Sequence, residues 1–331
     1  MKLIKPDYFD SFRCIASACP DSCCKEWDVA VDPDKAAFYR HLPGPLGDRL
    51  RHLLYEEDGC TYIAIENRRC PMWREDGLCR IQAELGEAAL CKTCRDFPRL
   101  THDYGDFVEM GLELSCPEAA RIILESPGPS FVLSDVPGGE APEYDCEAME
   151  ILLRTREVMR QLLADDSHSV SETLALALMY GYQAQAELDG AEESPFDADS
   201  ALAEARQFAV VTTWDTILDF FRNLEILTDS WKNRLDNPSP ALWSDPCRLL
   251  ARYFVDRYWL QAVSDYDLIS RVKLAVISCI AIRILGGDLI ATAQLYSKEI
   301  ENSIDNIEAI LDGTYTVQAF ADQNLLGLLL L

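Results

Sequence analysis

The sequence predicts a mainly α protein: a small, irregular, cysteine-rich metal-binding domain over residues 1–125, then an all-α helical domain over 143–331. Three observations carry that prediction. Ten of the 13 cysteines lie at or before Cys116. A breaker-rich stretch, Ser126-Pro-Gly-Pro and then Pro137-Gly-Gly-Glu-Ala-Pro142, reads as a linker or long surface loop over 126–142. Beyond it, apolar residues recur at helical spacing almost to the end of the chain.

The first 125 residues show short apolar runs broken by Pro, Gly and Cys. Residues 29–31 and 62–65 suit short strands, and 81–90 and 118–124 suit short helices. A unit that buries so little apolar surface is often pinned by a metal instead. After the breakers, 143–164 and 170–188 carry the helical period. Leu202, Phe208, Val211, Trp214, Leu218, Phe221, Leu224 and Leu227 extend it through one longer segment. Asn237-Pro-Ser-Pro240 interrupts the chain, and three further helices are expected near 247–262, 266–285 and 288–311. Asp288 suits an N-cap, with Gly286-Gly287 ending the helix before it.

Composition bounds the function. The formal charge of −26 opposes binding to nucleic acid or to an anionic membrane surface. Residues 1–125 hold 16 Lys+Arg against 23 Asp+Glu, a net of −7; the remainder holds 14 against 33, a net of −19. The opening residues lack the apolar core of a secretory signal, and the most apolar stretch, 274–285, is too short to span a bilayer. A soluble, cytoplasmic protein in a reducing compartment is the expectation, and there clustered thiols mean metal or catalysis rather than disulfides.

The thiols fall in two groups. The first is Cys14, Cys19, Cys23 and Cys24; the second is Cys70, Cys79, Cys91 and Cys94. The Cys91-x2-Cys94 spacing lets one turn aim two sulfurs at one ion. Clustered thiolates repel one another unless a cation intervenes. Buried cysteines packing as small hydrophobes are the plainer alternative, which the clustering disfavours. Zinc and iron–sulfur clusters both suit such ligands, as one centre with spare thiols or as two four-sulfur sites. The Cys14-x4-Cys19-x3-Cys23 run is longer by one in each gap than the radical S-adenosylmethionine signature, and no αβ-barrel pattern follows it. No Rossmann fingerprint, P-loop, G-x-S-x-G or H-E-x-x-H occurs, and the four histidines lack ligand spacing.

The pattern Phe12-Arg13-Cys14, Cys19, Cys23-Cys24, Trp27 and Val31-Asp32, then Arg69-Cys70-Pro71, Asp76-Gly-Leu-Cys79-Arg-Ile-Gln82, Leu90-Cys91-Lys-Thr-Cys94-Arg95, Phe97-Pro98-Arg99 and Leu114-Ser-Cys116-Pro-Glu-Ala-Ala-Arg121, resembles the flagellin lysine-N-methylases. The runs 267–273 and 295–301 are similar to that family's C-terminal end. The first cluster also resembles a broader group of zinc- or iron-chelating cysteine domains. The resemblance implies an S-adenosylmethionine-dependent methyltransferase acting on surface lysines of flagellin, with a [4Fe-4S] centre and zinc as the alternative metal. It maps the family's cysteines onto Cys14, Cys19, Cys23, Cys24, Cys70, Cys79, Cys91, Cys94 and Cys116, with Cys60 in a poorer match.

Methyl transfer to an amine needs a neutral lysine, and a free lysine titrates near ~10.4, so a site must desolvate it or supply a base. Candidate carboxylates are Glu109, Glu113 and Glu118, with Asp28 and Asp32. Candidate aromatic contacts for the sulfonium and the ammonium are Trp27, Trp73 and Tyr104. Arg95, Arg99 and Arg121 are candidates for the donor's carboxylate. A lone Glu is more often a solvated charge and a lone Trp more often core. The competing classes are a non-enzymatic zinc- or iron-bearing adaptor and an electron carrier.

Overall fold

The computed structural model describes residues 1–25 and 29–331. Strand β1 (Lys2–Pro6) opens the chain. The cysteine-rich part then contains β2 (Val29–Val31), α1 (Pro33–His41), α2 (Gly44–Leu53), β3 (Leu54–Glu57), β4 (Cys60–Ile63), α3 (Arg80–Leu85) and α4 (Lys92–Asp96). Next come β5 (Arg99–Asp103), β6 (Phe107–Leu112), α5 (Pro117–Leu124) and β7 (Phe131–Asp135). The helical part holds α6 (Cys146–Ala164), α7 (Val170–Leu188), α8 (Ala198–Phe208), α9 (Asp215–Arg222), α10 (Asp229–Asp236) and α11 (Pro246–Tyr258). It ends with α12 (Leu268–Leu285), α13 (Leu289–Ile300), α14 (Ile304–Thr316) and α15 (Asp322–Leu330). The mainly α architecture, a small cysteine-rich part followed by helices, is the one the sequence predicts; of the strands, only β2 and the neighbourhood of β4 are expected.

Two sheets serve two cores. A mixed sheet has the order β5-β6-β1-β7, with β1 parallel to β6 and antiparallel to β7. It packs with α5 against the helices, so Phe9, Phe12, Phe107, Leu112 and Leu114 share one core with α6, α7 and α11 to α15. The second sheet, β2-β4-β3, builds a much smaller core with α1 to α3 from residues such as Val31, Tyr39, Leu50, Ile63 and Met72. Cys70 and Cys91 belong to that small core.

Helix α12 is the post of the large core. Every residue in it except Arg283 is buried, as an all-round apolar helix requires. Buried polar side chains on it find partners: Lys273 Nζ donates to Thr314 O at 2.7 Å and pairs with Asp322 at 3.1 Å, and Ser278 meets the Tyr296 hydroxyl at 2.8 Å, while Arg283 Nε finds none among the described residues. Among the described residues no helix is long and apolar enough to cross a membrane. The helix stops at Gly286, whose φ of +66° suits glycine. A Cβ there would stand 1.6 Å from Ser239 O, so the close chain crossing also demands glycine.

Several local expectations are corrected. The segment expected as one helix through 202–227 is two, α8 and α9, because the β-branched run Val210-Val-Thr-Thr213 leaves the helix between them. Val210 N instead bonds Gln323 O at 3.0 Å. The helix expected over 288–311 is likewise two, because Ser303 caps a new start by accepting from Asn306 N. Asp288 does cap α13, accepting from Ala291 N. The stretch 126–142 contributes β7, and the first 125 residues are more ordered than their broken pattern suggests.

Glu299 on α13 is fully buried and accepts from Leu227 N at 2.8 Å. Burial pushes its carboxyl up to about 7, against the hydrogen bonds it receives. A raised carboxyl favours the folded state below its ordinary range, and that stability is lost as pH rises through about 7. Glu299→Gln should therefore melt higher than wild type near pH 8, the gain vanishing near pH 5. Thermal melts at both pH values check this; an unchanged pH dependence would refute it.

Candidate functional site

Three segments bring the N-terminal thiols together. Cys70 N donates to Cys24 O at 2.8 Å, joining the first cysteine loop to the second. The second loop is zipped by Arg80 N to Met72 O at 2.7 Å and Arg74 N to Leu78 O at 2.9 Å. Gly77, at φ +79°, lets this turn pass against Ser17 of the first loop. The third segment is the start of α4. Asp32 caps α1 with one carboxylate oxygen, accepting from Lys35 N at 3.2 Å, and takes Lys92 N at 2.7 Å with the other. Thr93 Oγ1 adds a bond to Ala30 O at 2.8 Å. Asp32, a sequence candidate for acid–base work, is thus a bracket that fixes the Cys91–Cys94 turn. Burial raises its carboxyl, but the two amides outweigh this and hold it below the usual range.

Cys79, Cys91 and Cys116 each stand at the N-cap position of a short helix, α3, α4 and α5. None makes a formed capping bond, yet amides ahead of each sulfur favour its thiolate. Burial acts the other way, pushing the Cys70 thiol up to about 11 and Cys116 up to about 12, and raising Cys79 and Cys19. The Cys24 thiol bonds to Cys23 and holds Cys23 down at about 7. Cys94 does the same for Cys91, whose thiol falls while that of Cys94 rises. Electrostatically, Cys24 feels Cys23, Cys70 and Cys79; Cys94 feels Cys91, Cys24 and Cys23; Cys116 feels Cys19 and Cys23. Cys19 in turn feels Cys14, whose sulfur accepts from Ala16 N at 3.4 Å.

Among the described residues no three Cys, His, Asp or Glu side chains are drawn tightly enough together to hold one ion. The sulfurs converge as hydrogen-bonded pairs. The donor set is soft and thiol-rich, which fits zinc or an iron–sulfur cluster better than a hard cation. Cys60 lies apart in role: exposed at the start of β4, its thiol neighbours Tyr62.

Beside this region runs a cleft of about 810 Å³ between the first cysteine loop, α5, α10 and α13. Asp21, between Cys19 and Cys23, bridges it. Its carboxylate meets Lys298 at 2.9 Å, Gln294 at 3.2 Å and Lys25 at 3.2 Å. Burial raises this carboxyl, but Lys298, the Ser22 amide and Lys25 together hold it below its ordinary range. Gln294 also donates to Ser115 O at 2.8 Å, next to Cys116. Asp21 and Lys298 lie in runs that carry the cysteine spacing and the resemblance, but no local signal marks either of them, or Gln294, as a contact of the cleft.

Of the other candidates, Glu118 and Arg121 border the cleft but pair with each other at 2.7 Å, and Arg121 also takes Glu125 at 2.8 Å. Glu109 is buried in a two-pronged pair with Arg156 at 2.5 and 2.8 Å. Glu113 accepts from Ser115 Oγ at 2.6 Å, and burial raises its carboxyl against the pull of Arg257. Arg95 pairs with Asp96, and Arg99 lies 5.1 Å over the Phe12 ring. Tyr104 stacks on Phe107 and faces a separate cleft shared with Tyr144. Trp73 is already covered by Arg69 at 3.8 Å and Lys25 at 5.1 Å. Trp27 and Asp28 lie outside the described residues.

Over 132 residues the chain is 34% identical to the flagellar biosynthetic protein FliU of Salmonella muenchen, covering 37% of this chain and 77% of FliU. It is 34% identical over 132 residues to the lysine-N-methylases of Salmonella typhimurium and Salmonella choleraesuis. Those alignments span 32% of each methylase, about a third of its length. No family profile matches the chain. No solved structure matches it.

The Asp21–Lys298 contact should couple the cysteine loop to α13. Lys298 is 9% exposed and Asp21 23%. A double-mutant cycle with Asp21→Asn and Lys298→Met, followed by urea denaturation, should return a coupling of about 1–3 kcal/mol. Simple additivity would show that the contact does not join them.

Proposed function

The chain belongs to the family that holds FliU and lysine-N-methylase, and from that premise we propose that it methylates lysine side chains of flagellin, with S-adenosylmethionine as donor and a thiolate-held iron–sulfur centre. The observation that carries this is the 34% identity to two lysine-N-methylases. The cleft beside the converging thiols supports it, because at about 810 Å³ it has the size of a small-molecule site.

In this reading the cleft receives donor and acceptor together. Transfer forms a bond from lysine Nζ to the methyl carbon as the sulfur–methyl bond breaks, and that electron pair stays on sulfur. The ammonium proton must leave first, to water or to a cleft carboxylate. Glu118, Glu125 and Asp288 line the cleft and place negative charge where an incoming ammonium is steered. Arg234, on the same walls, suits the donor's carboxylate. Asp21, engaged by Lys298 and Gln294, shapes the wall nearest the thiols rather than acting as a free base.

Cys23, Cys24, Cys70, Cys79, Cys91 and Cys94 form the set from which the centre draws its ligands, with Cys14, Cys19 and Cys116 on the cleft side. When bound, such a centre supplies cationic iron that keeps its ligands as thiolates and cross-links the loops carrying them.

Anaerobically purified protein should contain iron and acid-labile sulfide near ~4 each per chain. Zinc without sulfide would overturn the iron–sulfur assignment. Incubated with flagellin and the donor, the protein should add methyl groups to lysines, seen by peptide mass spectrometry; no transfer and no donor binding by calorimetry would favour the adaptor. Cys91→Ser should lower the melting temperature as well as abolish transfer, since Cys91 is buried in the small core. A fully folded, inactive variant by circular dichroism would instead place the centre's role in the reaction itself.

A further inference from the structure

Away from the thiols, a small cavity of about 60 Å³ lies between the mixed sheet and helices α6 and α11. Its walls carry closely spaced charges. Arg160 Nε and Arg252 Nε both pair with Asp256, at 2.7 and 3.0 Å, so two guanidiniums share one carboxylate. The other contact of Arg160 is Glu157 at 3.4 Å, more than half exposed and therefore weakened by solvent. The neighbouring cations are balanced: Arg257 meets Glu301 at 3.2 Å, and Arg156 is matched by Glu109.

The hydrogen-bond inventory points to the same place. Arg160 Nη2 and His102 Nε2 are both buried and find no partner among the described residues, and both residues line this cavity. Unpaired buried polar atoms occur elsewhere in the molecule, but these two belong to residues that line one cavity, beside two guanidiniums that share Asp256. An unpaired buried donor is destabilising, and a bound acceptor would satisfy it. Phe131, with the Arg160 guanidinium 4.1 Å over its ring, closes one side and fixes the direction of the fork. Burial, with Arg257 nearby, keeps His102 neutral, which leaves its ring one N–H to donate.

We propose that this cavity is a binding site for a small oxyanion, a carboxylate or a phosphate group, gripped by Arg160 Nη2 and His102 Nε2 with Arg252 alongside. The space is enough for such a group and too small for a nucleotide. The site is independent of the methylase reading, because it needs neither the metal nor the methyl donor.

The test uses the full chain. Melting temperature is followed while sodium acetate or sodium phosphate replaces sodium chloride at constant ionic strength. At least one oxyanion should raise the melting temperature along a saturating curve; acetate alone would identify a carboxylate site and phosphate alone a phosphate site. Arg160→Gln should weaken the apparent Kd roughly tenfold or more. Should that variant lose its near-ultraviolet dichroism, His102→Leu carries the same expectation with the cation kept. A response no different from chloride, or unchanged affinity in the folded variant, would overturn the proposal.

Discussion

Burial of α12 is the constraint around which the larger part of the molecule is arranged. A helix with apolar residues on every side has no face to offer water, so it must be wrapped completely. Helices α7, α11, α13 and α14 pack directly against it. At about 1.5–3 kcal/mol for each large side chain fully buried, this one helix outweighs any of the polar contacts described above. The mixed sheet and α5 add their apolar faces to the same core, and so the segments on either side of the cysteine-rich stretch are anchored in the helical body.

The smaller core cannot rely on area in that way. Its elements are short, and two of its buried side chains are cysteines. Polar brackets do much of the positioning there. Asp32 serves two helix starts at once, Tyr39 donates to Ala89 O at 2.7 Å, and Cys24 and Cys70 are joined through their backbones. Asp21 then ties the first loop to α13, close to the wall of the large cleft. Order among the thiols is thus borrowed from both cores.

Much of the helical part was legible because periodicity is local. Helix α7 matches its expected span, and α6 and α12 begin within a few residues of theirs. The strands of the mixed sheet were not legible. Lys2–Pro6 is five residues long and earns its strand state from partners more than a hundred positions away. The cysteine positions announced a cluster, but their pairing as Cys23–Cys24 and Cys91–Cys94 required the fold. Glu109 looked available as a base because nothing near it in sequence hints at Arg156. The capping role of Asp32 was legible locally, since Asp before Pro33 is a helix-start signature.

The place of β1 in its sheet bears on how the protein is made. Lys2 pairs with Phe107 on one side and with Asp135 on the other, so β1 is an interior strand whose neighbours are both synthesised much later. While the chain emerges from the ribosome, its first strand has no partner until β6 and β7 follow. Over that interval the segment holding most of the cysteines is already exposed, with its connection to the helical body unmade. Capture of β1 is therefore a long-range closure, and the growing chain carries an open strand edge and unprotected thiols until β6 and β7 have followed.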